Sequence, residues 1–498
     1  MIQPLSQSSA DDADRYQLAW NAHPADLLTP VRAFLALRAS GHRPCLLESV
    51  EGSERQARYS FIGVDPDGHF RGFRSGSRLE LAGQVQELSG PCHLALREAT
   101  RLTRSPALPA GLPPLAGGWV GMFSYEWAST LEPSVPRPDA DPIGAPEALF
   151  EHYSGFLAFD HATQRLWLMT RTPRGATDFA AGQRRLERLA EDLDVDPPAG
   201  GGFRLLEPEP RASMTKDKFE SGVERLRDAI RAGEIFQAVP SQRFEQRFSG
   251  DPFVLYRVLR MSNPAPHMFF FESDGLTLVG SSPERLVSRV GDDLEAVPIA
   301  GTRPRGEDPA EDARLGEELR SDPKEVAEHQ MLVDLARNDL GRVAAVGSVR
   351  VAEHLELERF QRVQHLVSRV RAKAAPGTDA IDALAATFPA GTVSGAPKVR
   401  AMQLVAEVEQ AQRGPYAGAF GYLDSAGDMD MAISIRTLVA RAGSVHVQAG
   451  AGIVFDSQPE LEYQETLHKT RALFEAVRLA AEPAFQSTSM GAASEATR

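Results

Sequence analysis

The sequence predicts an α+β fold with antiparallel sheets. Strand-like apolar runs fall in clusters and hairpin-like pairs, and the long helical patterns stand apart from them instead of alternating with them. Composition agrees with a packed protein. Apolar residues make up 42% and charged residues 24% of 498, which excludes a disordered, collagen-like or fibrous chain. A chain this long buries large cores without staples. At roughly 150 residues per domain it holds about three domains or two large ones.

Residues 1–15 are polar and read as a frayed tail. From 16 to about 200, short apolar runs are broken by Pro-rich loops at 105–114 and 132–146, where proline removes a donor and blocks helix and central strand. The run Asp196-Pro197-Pro198-Ala199-Gly200-Gly201-Gly202, followed by Pro208 and Pro210, puts a junction near 200–212. It divides an N-terminal part, 16–205, from a C-terminal part, 212–480. Thr215 can cap a helix in which Phe219, Val223, Leu226 and Ile230 recur at helical spacing, and Gly233 ends it. Strands are expected at 235–239, 268–272, 276–279, 294–299 and 445–448, and long helices at 323–338, 397–412 and 459–480. The small polar stretch 483–498 reads as a disordered tail. No repeat of 20–50 residues is visible.

Several functions are excluded. Lys plus Arg number 54 against 68 Asp plus Glu, a net charge of −14 that argues against nonspecific DNA binding. It does not argue against an anionic small substrate in a locally basic site. Cys45 and Cys92 are too few for a disulfide framework or a cysteine zinc site and favour a reducing compartment. No apolar run reaches bilayer length, and Asp11, Asp12 and Asp14 stand where a signal peptide would be apolar, so a cytoplasmic protein is expected. Gly450-Ala451-Gly452 opens like a dinucleotide fingerprint but has Phe455 in place of the third Gly; P-loop and HExxH motifs are absent. Neither cysteine lies in a Gly-x-Cys-x-Gly elbow, so no built-in glutaminase is expected.

Four signals carry chemistry. Glu325 and Glu328 share one helix face at i, i+3, and Glu462, Glu465 and Lys469 share another at i, i+3 and i+7. Facing each other, the carboxylates would suit Mg²⁺, which prefers oxygen ligands; two solvated helix faces would give the same pattern. Gly-rich junctions stand at 299–305, 390–398 and 448–452; they are either plain turns and caps or places where backbone N–H groups approach an anion. His365 lies in Val363-Gln364-His365-Leu366-Val367-Ser368, as a structural or a catalytic imidazole. Arg436 interrupts the apolar run Ser434-Ile435-Arg436-Thr437; once buried it needs a partner, either a salt bridge or a substrate carboxylate held bidentately.

Together these motifs resemble the chorismate-utilising enzymes, most closely the component I family of anthranilate synthases, over nearly the whole chain. The matching runs include Ser282-Pro283-Glu284-Arg285, Pro298-Ile299-Ala300-Gly301-Thr302-Arg303-Pro304, Leu335-Ala336-Arg337-Asn338-Asp339, Gln364-His365-Leu366-Val367-Ser368, Ala390-Gly391-Thr392-Val393-Ser394-Gly395, Gly414-Pro415-Tyr416-Ala417-Gly418 and Gly450-Ala451-Gly452. Near the N-terminus they are Leu46-Leu47-Glu48-Ser49 and Arg58-Tyr59-Ser60-Phe61-Ile62-Gly63. The resemblance implies a layered αββα core of packed antiparallel sheets, with an N-terminal regulatory part packed on a chorismate-binding part. It implies conversion of chorismate and ammonia to anthranilate and pyruvate with Mg²⁺ as cofactor. Glu328 and Glu465 would hold the metal, with Glu325 and Glu462 nearby. Lys469 would touch the ring carboxylate. Arg436 and Tyr416, with backbone N–H groups at Gly450, Ala451 and Gly452, would take the enolpyruvyl carboxylate. Gly301 and Thr302 would line the ring pocket. Glu284 would be a general acid kept protonated by burial, and His365 and Thr392 would assist proton movement.

Two positions separate relatives. Water-adding members of the family carry a Lys base where this chain has Gln237. Aminodeoxychorismate synthases that use a covalent intermediate carry a Lys nucleophile where this chain has Ala300. Both favour amination by ammonia, leaving aminodeoxychorismate synthase, 2-amino-2-deoxyisochorismate synthase or a catalytically silent tryptophan sensor as the alternatives, with a water-adding isochorismate or salicylate synthase behind them. The family's tryptophan site implies Leu47, Glu48 and Ser49 together with Pro266, His267 and Met268, although Asn263-Pro264-Ala265-Pro266-His267-Met268 departs from the family run at Ala265 and His267. A separate glutamine amidotransferase subunit is the implied ammonia source.

Overall fold

A computed structural model describes residues 15–50, 58–197, 202–360 and 363–486. Among these, two large antiparallel sheets stack face to face. The first runs Tyr16–Pro24, Arg165–Pro173, Gly155–Asp160, Tyr59–Val64, Pro44–Glu48, His267–Ser273, Leu276–Ser282, Thr437–Arg441, Ser444–Gly450, Ser241–Gly250, Phe203–Leu205. The second runs Ile299–Pro304, Val363–Lys373, Asp293–Ala296, Arg285–Val290, Met429–Ile433, Ala419–Asp424, Gly118–Phe123, Ala148–Tyr153, Gly68–Phe73, Gly76–Leu81, Gln84–Ser89.

Strand alternation builds the layers. In His267–Ser273, Phe269 and Phe271 join the apolar core between the sheets, while Met268 and Phe270 join the core under the helices. Phe269 and Phe420, from opposite sheets, stack at 3.9 Å. Outside the first sheet lie Pro30–Ala39, Ala176–Asp192, Phe253–Ser262 and Pro459–Ala480; outside the second lie Cys92–Leu102, Pro323–Gly341 and Ala380–Thr387. The order is helix, sheet, sheet, helix.

The junction near 200–212 divides the sequence and not the sheets. Pro44–Glu48 pairs with His267–Ser273, and Gly118–Phe123 pairs with Ala419–Asp424, so each sheet runs on from one half of the chain to the other. Part of the junction, 198–201, lies outside the described residues, as do 1–14 and 487–498 of the expected tails. The C-terminal tail begins later than expected: Pro483–Gln486 forms a helical turn whose Phe485 carbonyl accepts from Arg257 Nη1 at 3.1 Å.

The expected strand at 235–239 shrinks to Gln237–Ala238, paired with Gly395–Ala396, because Pro240 interrupts the ladder before Ser241–Gly250. The expected strand at 294–299 splits into Asp293–Ala296 and Ile299–Pro304 around Pro298. The 397–412 helix spans Lys398–Glu409 and stops where Gln410 turns left-handed at φ +59°. Thr215 caps its helix as expected, accepting from Lys218 N. Cys45 and Cys92 are buried and free. No described helix is long and apolar enough to cross a membrane.

Candidate active site

A cavity of about 770 Å³ opens at the edge of the sheets, between Pro323–Gly341 and Pro459–Ala480. The first helix starts at Asp322, whose carboxylate accepts from Lys324 N and Glu325 N at 3.0 and 3.4 Å, with Pro323 in the first turn. That start aims Glu325 and Glu328 into the cavity. The second helix buries Thr466, Thr470, Leu473 and Val477 and presents Glu462, Glu465 and Lys469 to the same space. Glu284, Gly301, Thr302, His365, Thr392, Tyr416, Arg436, Gly450 and Gly452 complete the wall, with Gln237 and Ala300 among them. Ala451 does not: it is fully buried and its N–H donates to Pro240 O at 3.1 Å, so that N–H is not free for a substrate.

Glu284 is buried, and burial pushes its carboxyl up to about 8 despite the Thr392 hydroxyl, which donates to Oε1 at 3.2 Å and Oε2 at 3.3 Å. At neutral pH it is an acid, able to give a proton. His365 is the opposite. Its Nδ1 lies 2.9 Å from Gly301 O, and a carbonyl only accepts, so Nδ1 carries the proton and Nε2 keeps a lone pair. Thr302 Oγ1 is 3.1 Å from the same nitrogen. Burial and nearby Arg436 hold the imidazole below its ordinary pKa, hence neutral.

Arg436 sits in the left-handed region at φ +50°, an uncommon state for a side-chain-bearing residue that clusters at functional sites. Burial lowers its pKa, and Tyr416 is the one charge partner that offsets this. A buried guanidinium that meets no carboxylate among the described residues is a prepared anion site. Gly450 is required beside it, since a Cβ there would lie 2.7 Å from Pro240 O and 3.1 Å from Tyr416 Oη. At Gly301 (φ +71°) a Cβ would crowd Leu319 at 2.9 Å.

The paired acidic helices offer an all-oxygen donor set. Burial raises the pKa of Glu328, and repulsion from Glu325, Glu465 and Glu462 adds to it. Glu462 is raised by burial and by Glu465. No three acidic or histidine side chains among the described residues converge on one point; Lys469 Nζ lies 2.7 Å from Glu465 and 3.0 Å from Gly450 O, and Lys324 Nζ lies 3.8 Å from Glu328. Carboxylates that repel one another across an open cleft fit a hard divalent cation. The sequence reading missed Lys324 and also Ser457, which hydrogen-bonds Glu462. Lysine in a first helical turn and serine in a loop carry no periodic signal.

A second cavity, about 360 Å³, gathers Leu47, Glu48, Ser49, Pro266, His267 and Met268. Pairing of Met268 with Glu48 across the strands brings the two segments together. Tyr59, Phe61, Phe420 and Tyr422 add aromatic walls that had been given no role. The Glu48 carboxylate is already engaged by Arg260 at 2.8 and 3.1 Å, by Tyr256 and by Ser60. It is therefore a structural anion and not a free partner for a ligand.

Residues 43–475 match the chorismate binding enzyme family. The chain is 42% identical to anthranilate synthase component 1 of Pseudomonas aeruginosa over 95% of this chain and 97% of that one, and 44% identical to the Thermus thermophilus protein of the same name over 92% and 96%. It superposes on the crystal structure of anthranilate synthase component I from Streptococcus pneumoniae with a TM-score of 0.75, 38% identity, and 84% and 92% of the two chains covered. The menaquinone-specific isochorismate synthase of Escherichia coli shares the fold at 19% identity, with a TM-score of 0.69 over 93% and 94%. The chain belongs to the chorismate binding enzymes, within the component 1 branch of the anthranilate synthases.

Proposed function

We propose that this chain converts chorismate and ammonia to anthranilate, pyruvate and water through 2-amino-2-deoxyisochorismate, as the first committed step of tryptophan biosynthesis. The observation that carries the reading is a buried Glu284 facing the same cavity as a buried Arg436, which meets no carboxylate among the described residues, and two acidic helix faces. Arg436 and Tyr416 take the enolpyruvyl carboxylate. Lys469 approaches the ring carboxylate. Glu328 and Glu465, with Glu325 and Glu462 close by, are the residues that would hold Mg²⁺, which supplies charge neutralisation of that carboxylate.

Ammonia adds to the ring beside the carboxylate as the ring double bond shifts and the allylic hydroxyl departs. Glu284 gives that oxygen its proton, and the hydroxyl leaves as water. Thr392 holds the Glu284 carboxyl in place. The neutral Nε2 of His365 then accepts the proton from the ring carbon that bears the nitrogen as the enolpyruvyl C–O bond breaks and the ring aromatises, and the released pyruvate enolate takes that proton back to become pyruvate. Gln237 has no basic lone pair with which to activate water, and Ala300 cannot form a covalent intermediate. These side chains favour ammonia over water and over a lysine adduct.

The ammonia comes from glutamine by way of a separate amidotransferase subunit, and tryptophan inhibits by filling the second cavity. The test mixes the purified chain with chorismate, Mg²⁺ and ammonium and follows anthranilate fluorescence and pyruvate. Equal yields of both are expected, and glutamine alone gives neither. Chorismate loss without pyruvate would shift the reading to an enzyme that stops at the aminated intermediate. A folded Glu328→Gln variant that works without Mg²⁺ would overturn the metal assignment.

A further inference from the structure

The catalytic cavity is lined by the second half of the chain, yet one of its walls is fastened from the first. Tyr416 stands on the turn Gly414-Pro415-Tyr416-Ala417. Gly414 and Ala417 are both left-handed, at φ +63° and +62°. A side-chain-bearing residue keeps that state only where its surroundings impose it. One end of the turn is tied to the segment that leads to Arg436: Ala417 N donates to Ser434 O, and Ser434 N to Gly418 O, each at 2.9 Å. The other end is held by Glu126, between the strand Gly118–Phe123 and the short helix Trp127–Leu131. Arg413 N donates to Glu126 Oε1 at 2.7 Å, Gly414 N to Oε2 at 3.0 Å, and Tyr125 N to Gly414 O at 2.8 Å.

We propose that Glu126 is a positioning residue for chorismate: through this turn it sets Tyr416 against the enolpyruvyl carboxylate. The inference rests on the function proposed above.

Glu126 is 4% exposed and does not line the cavity, so it acts only through what it holds. Burying a carboxylate is costly, and here both oxygens go to backbone N–H groups, which fixes two consecutive peptides at once. The Arg413 side chain carries the clamp to the other walls. Its guanidinium bonds Glu409 at 2.6 and 2.9 Å, Val393 O at 2.8 Å and Val239 O at 2.6 Å. It also lies over the rings of Tyr125 and Tyr416, 4.4 and 5.6 Å from their centroids. Val239 and Val393 line the cavity, and Val393 follows Thr392. Lys469, which approaches the ring carboxylate, is held separately by Glu465 and Gly450 O.

Glu126→Gln tests this in the full chain with Mg²⁺ and ammonium. It keeps the shape and turns one acceptor into a donor that faces a backbone N–H. Burial pushes the Glu126 carboxyl up to about 7, so the kinetics are read near pH 8, where it is ionised. The chorismate KM is expected to rise about tenfold, the worth of one hydrogen bond, with kcat within about threefold. Inhibition by pyruvate should weaken in parallel. Inhibition by anthranilate, which carries the ring carboxylate alone, should change less than about twofold. Beside Tyr416→Phe the same substitution should move KM by less than about twofold, because the two act as one unit. An unchanged KM, equal weakening of both products, or a full KM effect beside Tyr416→Phe overturns the proposal. If Glu126→Gln does not fold, Glu126→Asp is read in the same way, since it keeps the charge and draws both oxygens back by one methylene; a wild-type KM in that variant overturns the proposal by itself. A wild-type chain that makes no anthranilate from chorismate and ammonium would instead sink the function, and this role with it.

Discussion

The two cavities described above are built in contrasting ways. The catalytic one is lined entirely by residues after the junction, from Gln237 to Leu473. The other needs both halves of the chain, with Ser49, Tyr59 and Phe61 on one side and Met268, Phe420 and Tyr422 on the other. The first leaves charges unmatched: Arg436 meets no carboxylate among the described residues, Glu284 is an acid held above its ordinary pKa, and four glutamates repel one another. The second matches its charges: Glu48 is held by Arg260, and Arg285 by Asp430 at 2.8 Å. Unmatched charge waits for a reacting dianion. Matched charge around aromatic rings leaves shape and apolar contact to do the selecting, which suits the indole proposed for it. Glu284 and Arg285 are consecutive, so one peptide separates the two walls.

The sharpest way to break this contrast is Glu284→Gln, which cannot donate the proton. kcat is expected to fall ~10²–10⁴-fold, the usual worth of a general acid. In the wild type, kcat at saturating free ammonia should decline as pH rises through about 8, where Glu284 ionises. Stability should also fall as pH rises, over a lower range. The carboxyl is raised from 4.5 to about 8 on folding, so its contribution is fully present below pH 4.5 and is lost as pH rises towards 8. Glu284→Gln is then more stable than wild type near pH 8, by ~4 kcal/mol, since about 1.4 kcal/mol per pH unit accrues between 4.5 and 8. Chemical denaturation at pH 4.5 and pH 8 checks this, and a gap that does not grow with pH refutes the buried acid.

Arg436→Lys comes next. It keeps the charge and loses the fork. A charge-assisted hydrogen bond contributes about 1.5–3 kcal/mol, so the chorismate KM should rise roughly 10- to 150-fold with a smaller change in kcat. A variant that changes kcat alone would mean that Arg436 does not hold the substrate.

Much of this was legible in the sequence, for reasons that differ between the regions. The helix at Pro459–Ala480 ends where its apolar period ends, and the doublets Glu325/Glu328 and Glu462/Glu465 sit on helices that start at local signals, the Asp322 cap with Pro323 and Pro459 in the first turn. The layering follows from alternation in strands such as His267–Ser273. Contacts made across the sheets were hidden. Nothing in the run 46–49 announces that Arg260 and Tyr256 neutralise Glu48, and nothing in Gly450-Ala451-Gly452 shows that Pro240 takes the Ala451 N–H. Pro240 and Pro298 broke two expected strands because a single missing donor outweighs an apolar run.

The second cavity is tested by Ser49→Phe, which occupies it. Tryptophan at 100 times its Kd should stabilise the wild type by about 2.7 kcal/mol and suppress turnover; the variant should show neither effect and keep the wild-type chorismate KM. Full inhibition of the variant would remove the inhibitor assignment while leaving the catalytic cavity untouched.

The smallest expected effect concerns His267, where this chain departs from the family run. Burial pushes its imidazole down to about 4, so it is neutral throughout the physiological range. Tryptophan inhibition should therefore be flat from pH 6 to pH 8, while kcat bends near the top of that range with Glu284. A histidine depressed on folding contributes stability that is present above pH 6.5 and is lost as pH falls towards 4. His267→Gln should remove that acid limb from the stability profile, by about 1.4 kcal/mol per pH unit at most, and shift the tryptophan Kd only slightly. A tryptophan Kd that weakens tenfold between pH 7.5 and pH 6 in the wild type, and not in His267→Gln, would show the imidazole charging inside the cavity. The clean division between a titrating catalytic wall and a silent inhibitor wall would then fail.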